Sequence, residues 1–199
     1  GESWMDFMAR QGFLACGLDF TGFGASSRPE AMAHAAGDST PATRAPEAAR
    51  EIAVAADYLR KTRGMGRIHL VAHSWGTLPA ATFAAEHPGA LASLTLFGPV
   101  VPRPGQPAEP VHEAWWTITA EARYQQLRFK HVLPPELTLL EPAVTQRWAT
   151  EFDASAPHVE GDAPGALRIP AGPAADIDAV ASGGRYPYDP AAITAPVFV

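Results

Sequence analysis

Between residues 46 and 97 the chain alternates helix and strand with almost no slack, and that rhythm restricts the fold more than any other feature. Residues 46–63 read as the clearest helix. Pro46 stands at its start and Glu47 and Glu51 lie near its first turn. Arg60, Lys61 and Arg63 lie in its last turn, and Gly64 is a stop signal. Ala49, Ile52, Ala53, Ala56 and Leu59 give it one apolar stripe. Ile68-His-Leu-Val-Ala72 then reads as a buried strand, residues 75–87 as an Ala-rich helix closed by His87-Pro88-Gly89, and Leu91–Phe97 as a further strand. Upstream, residues 2–11 read as a helix ended by Gly12, and Phe13–Phe20 as a strand buried on both faces. Such alternation predicts parallel strands joined by helical crossovers. The expected class is α/β, a mostly parallel sheet covered by helices on both faces.

After Phe97 the character changes. Five of the 20 prolines lie in residues 1–98 and fifteen in residues 99–199. Proline donates nothing to a sheet ladder, so residues 100–190 read as a largely helical, Pro-rich cap inserted over the sheet. Helices are expected there at about 111–130 and 141–153, the second opening with Pro142. The expected organisation is a core over 1–99, a cap over 100–190, and a strand over 191–199 that returns to the core. Gly1 stands where a start methionine is expected, and Ala195-Pro196-Val197-Phe198-Val199 reads as the opening of a strand. The chain therefore reads as a span of a longer protein.

Apolar residues make up 47% of the 199, enough for a packed core, and no run of about 18 uncharged apolar residues exists to span a bilayer. The net charge of −6, without a basic block, disfavours nucleic acid as a partner. Cys16, alone, excludes an intrachain disulfide and thiolate metal clusters, and reads as buried strand filling. Localisation reads as cytoplasmic, with secretion left open because a leader would precede Gly1.

Chemistry concentrates at Leu70-Val71-Ala72-His73-Ser74-Trp75-Gly76-Thr77. Ser74 falls between a buried strand and a helix, with small residues two before and two after it. A sharp turn there would lift the hydroxyl into the crevice at the strand's carboxyl end. The N–H of Trp75 would open the next helix and point a donor at an oxygen beside Ser74. The alternative is a serine serving only as a helix N-cap.

Ala72-His73-Ser74-Trp75-Gly76 resembles the G-x-S-x-G nucleophile elbow of the α/β-hydrolase superfamily, with Ala72 in place of the first glycine. Asp19-Phe-Thr-Gly22-Phe-Gly24-Ala-Ser26 is similar to that superfamily's D-x-x-G-x-G-x-S loop, which assigns Asp19 to shaping the loop. Ile193–Val199 looks like the strand that carries the triad acid. The resemblance implies Ser74 as nucleophile and Trp75 as a backbone oxyanion donor. It places the His-Gly loop bearing the second donor before Gly1, and the acid and base beyond Val199. Pro79, about five residues beyond Ser74, departs from a regular helix and is expected to cost a hydrogen bond there.

None of His34, His69, His73, His87, His112, His131 and His158 is placed by a motif to serve Ser74. Gly22-Phe-Gly24 is followed by Pro29 and polar chain rather than a helix, against a dinucleotide loop. His112-Glu113 lacks a second His four residues on, against zinc. Trp115, Trp116 and Trp148, with Trp75, are candidates for an apolar substrate wall. Packing of cap helices is the plainer reading of each residue of the insertion.

The function these features point to is a serine hydrolase cleaving a carboxylic ester or related acyl bond of a small apolar substrate, without metal or organic cofactor. One alternative is a proline-iminopeptidase-like aminopeptidase, suggested by Ser74-Trp75-Gly76, with Glu141, Glu151 and Asp153 holding a substrate amine. Another is a non-catalytic binding module or inactive truncated piece of the same fold. Oligomeric state is not legible.

Overall fold

The computed structural model describes residues 3–126 and 141–199. Seven residues, Trp4–Arg10, form α1, capped by Ser3 and Asp6, which exchange side-chain-to-backbone hydrogen bonds at 3.0 Å. No residue of α1 is buried. The next segment departs from expectation. Phe13–Phe20 forms no regular element and pairs with no strand among the described residues. Phe13, Leu14 and Leu18 stay about half exposed, and Cys16 is exposed rather than core filling. An apolar run signals a tendency to be buried but does not specify a partner, and here only Phe20 reaches the core.

The rest of the α/β rhythm is as read. Helix α2 spans Ala45–Arg63 and ends on Gly64 in the left-handed conformation. Strand β1 covers Ile68–His73, α3 covers Thr77–Glu86, and β2 covers Leu91–Phe97. β1 and β2 pair in parallel, with Leu70 beside Leu94 and Ala72 beside Leu96. These residues, with Ile52 and Ala49 of α2 and Phe83, Ala80, Ala81 and Ala84 of α3, form the main core. Burying this much aliphatic and aromatic side chain contributes roughly 1.5–3 kcal/mol for each large residue. β1 alternates half-buried and exposed residues instead of being buried throughout, and His69, Val71 and His73 form its exposed side. Pro79 is the third residue of α3, because residues 74–76 form a separate 3-10 turn. Its missing N–H thus falls in the first turn of α3 rather than in the helix interior, where proline is least tolerated.

Beyond β2 the sequence reading is corrected in part. Trp115–Ile118, expected within a helix, is strand β3. It pairs antiparallel with β4, Leu167–Pro170, in a separate two-stranded sheet. Aromatic and β-branched residues suit that pleated surface. Helix α4 spans Ala120–Gln126, and the remainder of the helix expected to 130 lies outside the described residues. The helix expected at 141–153 is α5, Pro142–Asp153. Helix α6, Gly172–Gly183, is an element the sequence reading missed. β5, Val197–Phe198, returns to pair in parallel with β2, giving the sheet order β1-β2-β5.

α6 is seated by backbone contact. Gly172 donates its N–H to the Ala42 carbonyl at 2.8 Å, and a Cβ on Gly172 would fall 2.2 Å from that oxygen. The adjacent Thr43 is buried at φ +60°, an unusual conformation for a β-branched residue, and donates its hydroxyl to the Thr21 carbonyl at 2.7 Å. Thr21 in turn donates its N–H to Glu51 of α2 at 2.9 Å. The starts of α2 and α6 and the loop after Phe20 are thus fastened together beside the end of β1.

Candidate active site

β1 ends in extended backbone at His73, and the next residue, Ser74, has φ +53°. Only Ser74 and Thr43 among the described non-glycine residues take positive φ. Left-handed backbone costs an L-residue roughly 1–2 kcal/mol, which an ordinary N-cap in extended geometry does not incur. The conformation reverses the chain so that a strand passes directly into a helix with the serine at the tip. Ser74 is exposed, and among the described residues its hydroxyl makes no hydrogen bond. Its carbonyl is held from below, accepting the Thr77 hydroxyl at 2.7 Å as well as the Thr77 N–H. Trp75 follows within the 3-10 turn, so no earlier carbonyl of the same turn faces its N–H. A Cβ on Gly76 would lie 4.0 Å from the Ala72 Cβ, an ordinary contact, so the small pair leaves room for about one further methyl.

The loop at Asp19–Ser26 flanks this turn. Asp19 accepts the Ala25 N–H at 3.0 Å, and a Cβ on Gly24 (φ +50°) would fall 2.2 Å from the Asp19 carboxylate. Arg28 closes the loop from outside by donating to the carbonyls of Ser26 and Gly24 at 3.0 and 2.9 Å. Asp19 therefore organises backbone. Phe20, next to it, meets the Trp75 indole edge-on at 5.8 Å between ring centroids.

The indole of Trp75 is half-buried and packs against Ala45, Leu78 and Val180. Its Nε1–H donates to Asp176 of α6 at 3.0 Å. Asp176 is a site neighbour that sequence reasoning missed. It lies in a helix that was not anticipated, 101 residues from Trp75, and no motif marks it.

The other tryptophans are placed elsewhere. Trp115 on β3 donates its indole N–H to the His34 carbonyl at 3.1 Å and lies under the guanidinium of Arg168, 4.1 Å from the ring centroid. Arg168 also forks onto Asp162 at 2.7 and 2.9 Å, and these hydrogen bonds hold the Asp162 carboxyl below its ordinary pKa. Trp116 is half-buried on the same strand. Trp148 of α5 packs between Tyr124 and Phe152 at 6.4 and 5.4 Å. No ring contact or hydrogen bond joins these three to Trp75 among the described residues.

The histidines are likewise accounted for. His69 is hydrogen-bonded to Ser93 at 2.8 Å, His73 stacks on Phe97, and His87 lies against Phe83. His34 and His158 stand 3.9 and 3.6 Å from Glu30 and Asp153. His112 is exposed, and His131 lies outside the described residues. Glu141 and Glu151 sit toward opposite ends of α5, about 15 Å apart along its axis, so the expected carboxylate cluster does not converge. No group of three or more potential metal-binding side chains occurs among the described residues, and none of their helices is long and apolar enough to cross a membrane.

A strained serine between a parallel strand and a helix, flanked by an aspartate-organised glycine loop, defines a class of fold. The family model for the alpha/beta hydrolase fold matches residues 2–161, and the chain belongs to that family. Among solved structures it is similar to the crystal structure of E-2-(acetamidomethylene)succinate hydrolase. The identity is 19% and the TM-score 0.44, over 89% of this chain. The chain spans 58% of that protein's length. No curated protein matches the sequence.

Proposed function

We propose that this chain carries the nucleophile of a serine hydrolase acting on a carboxylic ester or related acyl bond. One observation carries the reading: Ser74 is an exposed serine held at φ +53° on a strand-to-helix turn, with its hydroxyl unbonded among the described residues. Strain persists where surrounding structure imposes it, and here it puts a hydroxyl where a substrate carbonyl can approach.

In this mechanism a general base, supplied from outside the described residues, takes the Ser74 proton as Oγ attacks the acyl carbon. The carbonyl becomes a tetrahedral oxyanion that accepts the N–H of Trp75, with the dipole of the turn and α3 behind it. Collapse expels the alkoxide as an alcohol after it takes up the proton. Water then adds to the acyl-enzyme and releases the acid, returning the proton to Ser74. Losing one oxyanion donor typically costs about 3–4 kcal/mol of transition-state stabilisation. No step requires a metal or organic cofactor. Residues 100–190 act as a cap.

The test is labelling of the full protein with a fluorophosphonate, followed by peptide mapping. An adduct on Ser74, lost in Ser74→Ala, is expected. A folded protein without that adduct overturns the reading. Matched ester and aminoacyl-amide substrates then identify the bond.

A further inference from the structure

A buried carboxylate is costly unless donors surround it, and Asp176, at 6% exposure, has three. Its Oδ1 accepts Arg44 Nε at 2.5 Å. Its Oδ2 accepts the Ala45 N–H at 2.6 Å and the Trp75 indole N–H at 3.0 Å. The first two satisfy the charge: a guanidinium, and an N–H of the first turn of α2, where the helix dipole favours an anion. Neither needs Trp75. The third bond instead fixes a side chain that is free to turn about two torsions, and it does so at the residue immediately after the strained serine.

We propose that Asp176 is a positioning residue of the hydrolase: it locks the Trp75 indole and thereby the backbone N–H that receives the oxyanion. The indole is braced by an edge contact with Phe20 and by the cluster of Ala45, Leu78 and Val180. Packing alone permits sliding in the ring plane, and a hydrogen bond along that plane stops it. The peptide between Ser74 and Trp75 has one well-defined orientation only while both of its flanks are fixed. Thr77 holds the Ser74 side, and Asp176 holds the Trp75 side. A helix of the 100–190 region is thus wired to the oxyanion donor through one carboxylate.

The inference rests on the nucleophile reading above, and the experiment separates the two. Wild type, Asp176→Asn, Trp75→Phe and the double variant are compared in the full protein. The readouts are the rate of fluorophosphonate labelling at Ser74 and kcat and KM on an ester. Trp75→Phe keeps most of the ring packing and leaves Asp176 its Arg44 and Ala45 donors, so it tests the link even if Asp176→Asn folds poorly. Each single variant is expected to slow labelling and lower kcat about ten- to hundredfold, with KM changed less than about threefold. The double variant is expected to be no slower than the slower single, because both remove one interaction. Wild-type rates in Trp75→Phe, multiplicative losses in the double variant, or a loss confined to KM would each overturn the positioning role while leaving Ser74 as nucleophile. No labelling of wild type would remove both.

Discussion

The Thr77 hydroxyl bridges two loops. It donates to the Ser74 carbonyl at 2.7 Å and accepts the Val100 N–H at 3.3 Å, tying the turn after β1 to the chain leaving β2. Thr77 is itself buried, and the Ser74 carbonyl also keeps the Thr77 N–H as a donor, so the Val100 N–H is the group that loses its partner when the hydroxyl goes. Thr77→Val keeps the shape and removes the bridge. It is expected to lower stability by about 1–3 kcal/mol and to lower kcat more than it raises KM. Thr77→Ser restores both. Urea midpoints and steady-state kinetics check this, and a Thr77→Val variant with wild-type stability would show that the bridge is not made.

Backbone strain at Ser74 makes a prediction independent of activity. Ser74→Ala keeps a Cβ in left-handed backbone, whereas Ser74→Gly removes it. Left-handed geometry costs an L-residue about 1–2 kcal/mol, and glycine's greater unfolded freedom takes back about 0.5–1. Ser74→Gly is therefore expected to be more stable than Ser74→Ala by up to about 1.5 kcal/mol, with turnover lost in both. Denaturant midpoints read the difference. An alanine variant more stable than the glycine variant would mean that position 74 is relaxed.

What the sequence made legible follows from how local each signal is. The serine turn was readable because strand, small residues and helix occur within eight consecutive positions. α2 was readable because its proline, acids and bases lie inside it and its stop glycine directly follows. Phe13–Phe20 was misread because its pairing depends on neighbours that its own residues do not name. Trp115–Ile118 reads locally as helix because its strand partner, Leu167–Pro170, lies about 50 residues away. Asp176 escaped notice for the same reason. Its role exists only once Arg44 with Ala45, and Trp75, are brought to it from two distant points of the chain.

Gly172 carries a prediction about how α6 is seated. A methyl there would meet the Ala42 and Thr43 carbonyl oxygens at 2.2 and 2.4 Å, and both are backbone. Gly172→Ala is expected to cost about 3 kcal/mol or more, because relief requires moving one helix start from the other. Gly183, at the far end of the same helix, faces open space. Gly183→Ala is expected to be neutral or stabilising by up to about 1 kcal/mol. Thermal melts of the pair provide their own control, and equal effects at both positions would contradict the close approach.

Tyr188 makes the alkaline limb of stability specific. Its ring stacks on Tyr186 at 5.1 Å, and burial, with the neighbouring Tyr186 as the smaller influence, pushes its phenol up to about 12. In the unfolded chain the same group ionises near 10. Between those values the unfolded chain releases a proton that the folded chain retains, so unfolding is favoured as pH rises. The stability is fully present below about pH 10 and is lost as pH climbs towards 12. Tyr188→Phe has no proton to release and is expected to flatten this part of the profile. Urea midpoints between about pH 9 and 12 check it, and an unchanged slope in Tyr188→Phe would assign the alkaline loss to other groups.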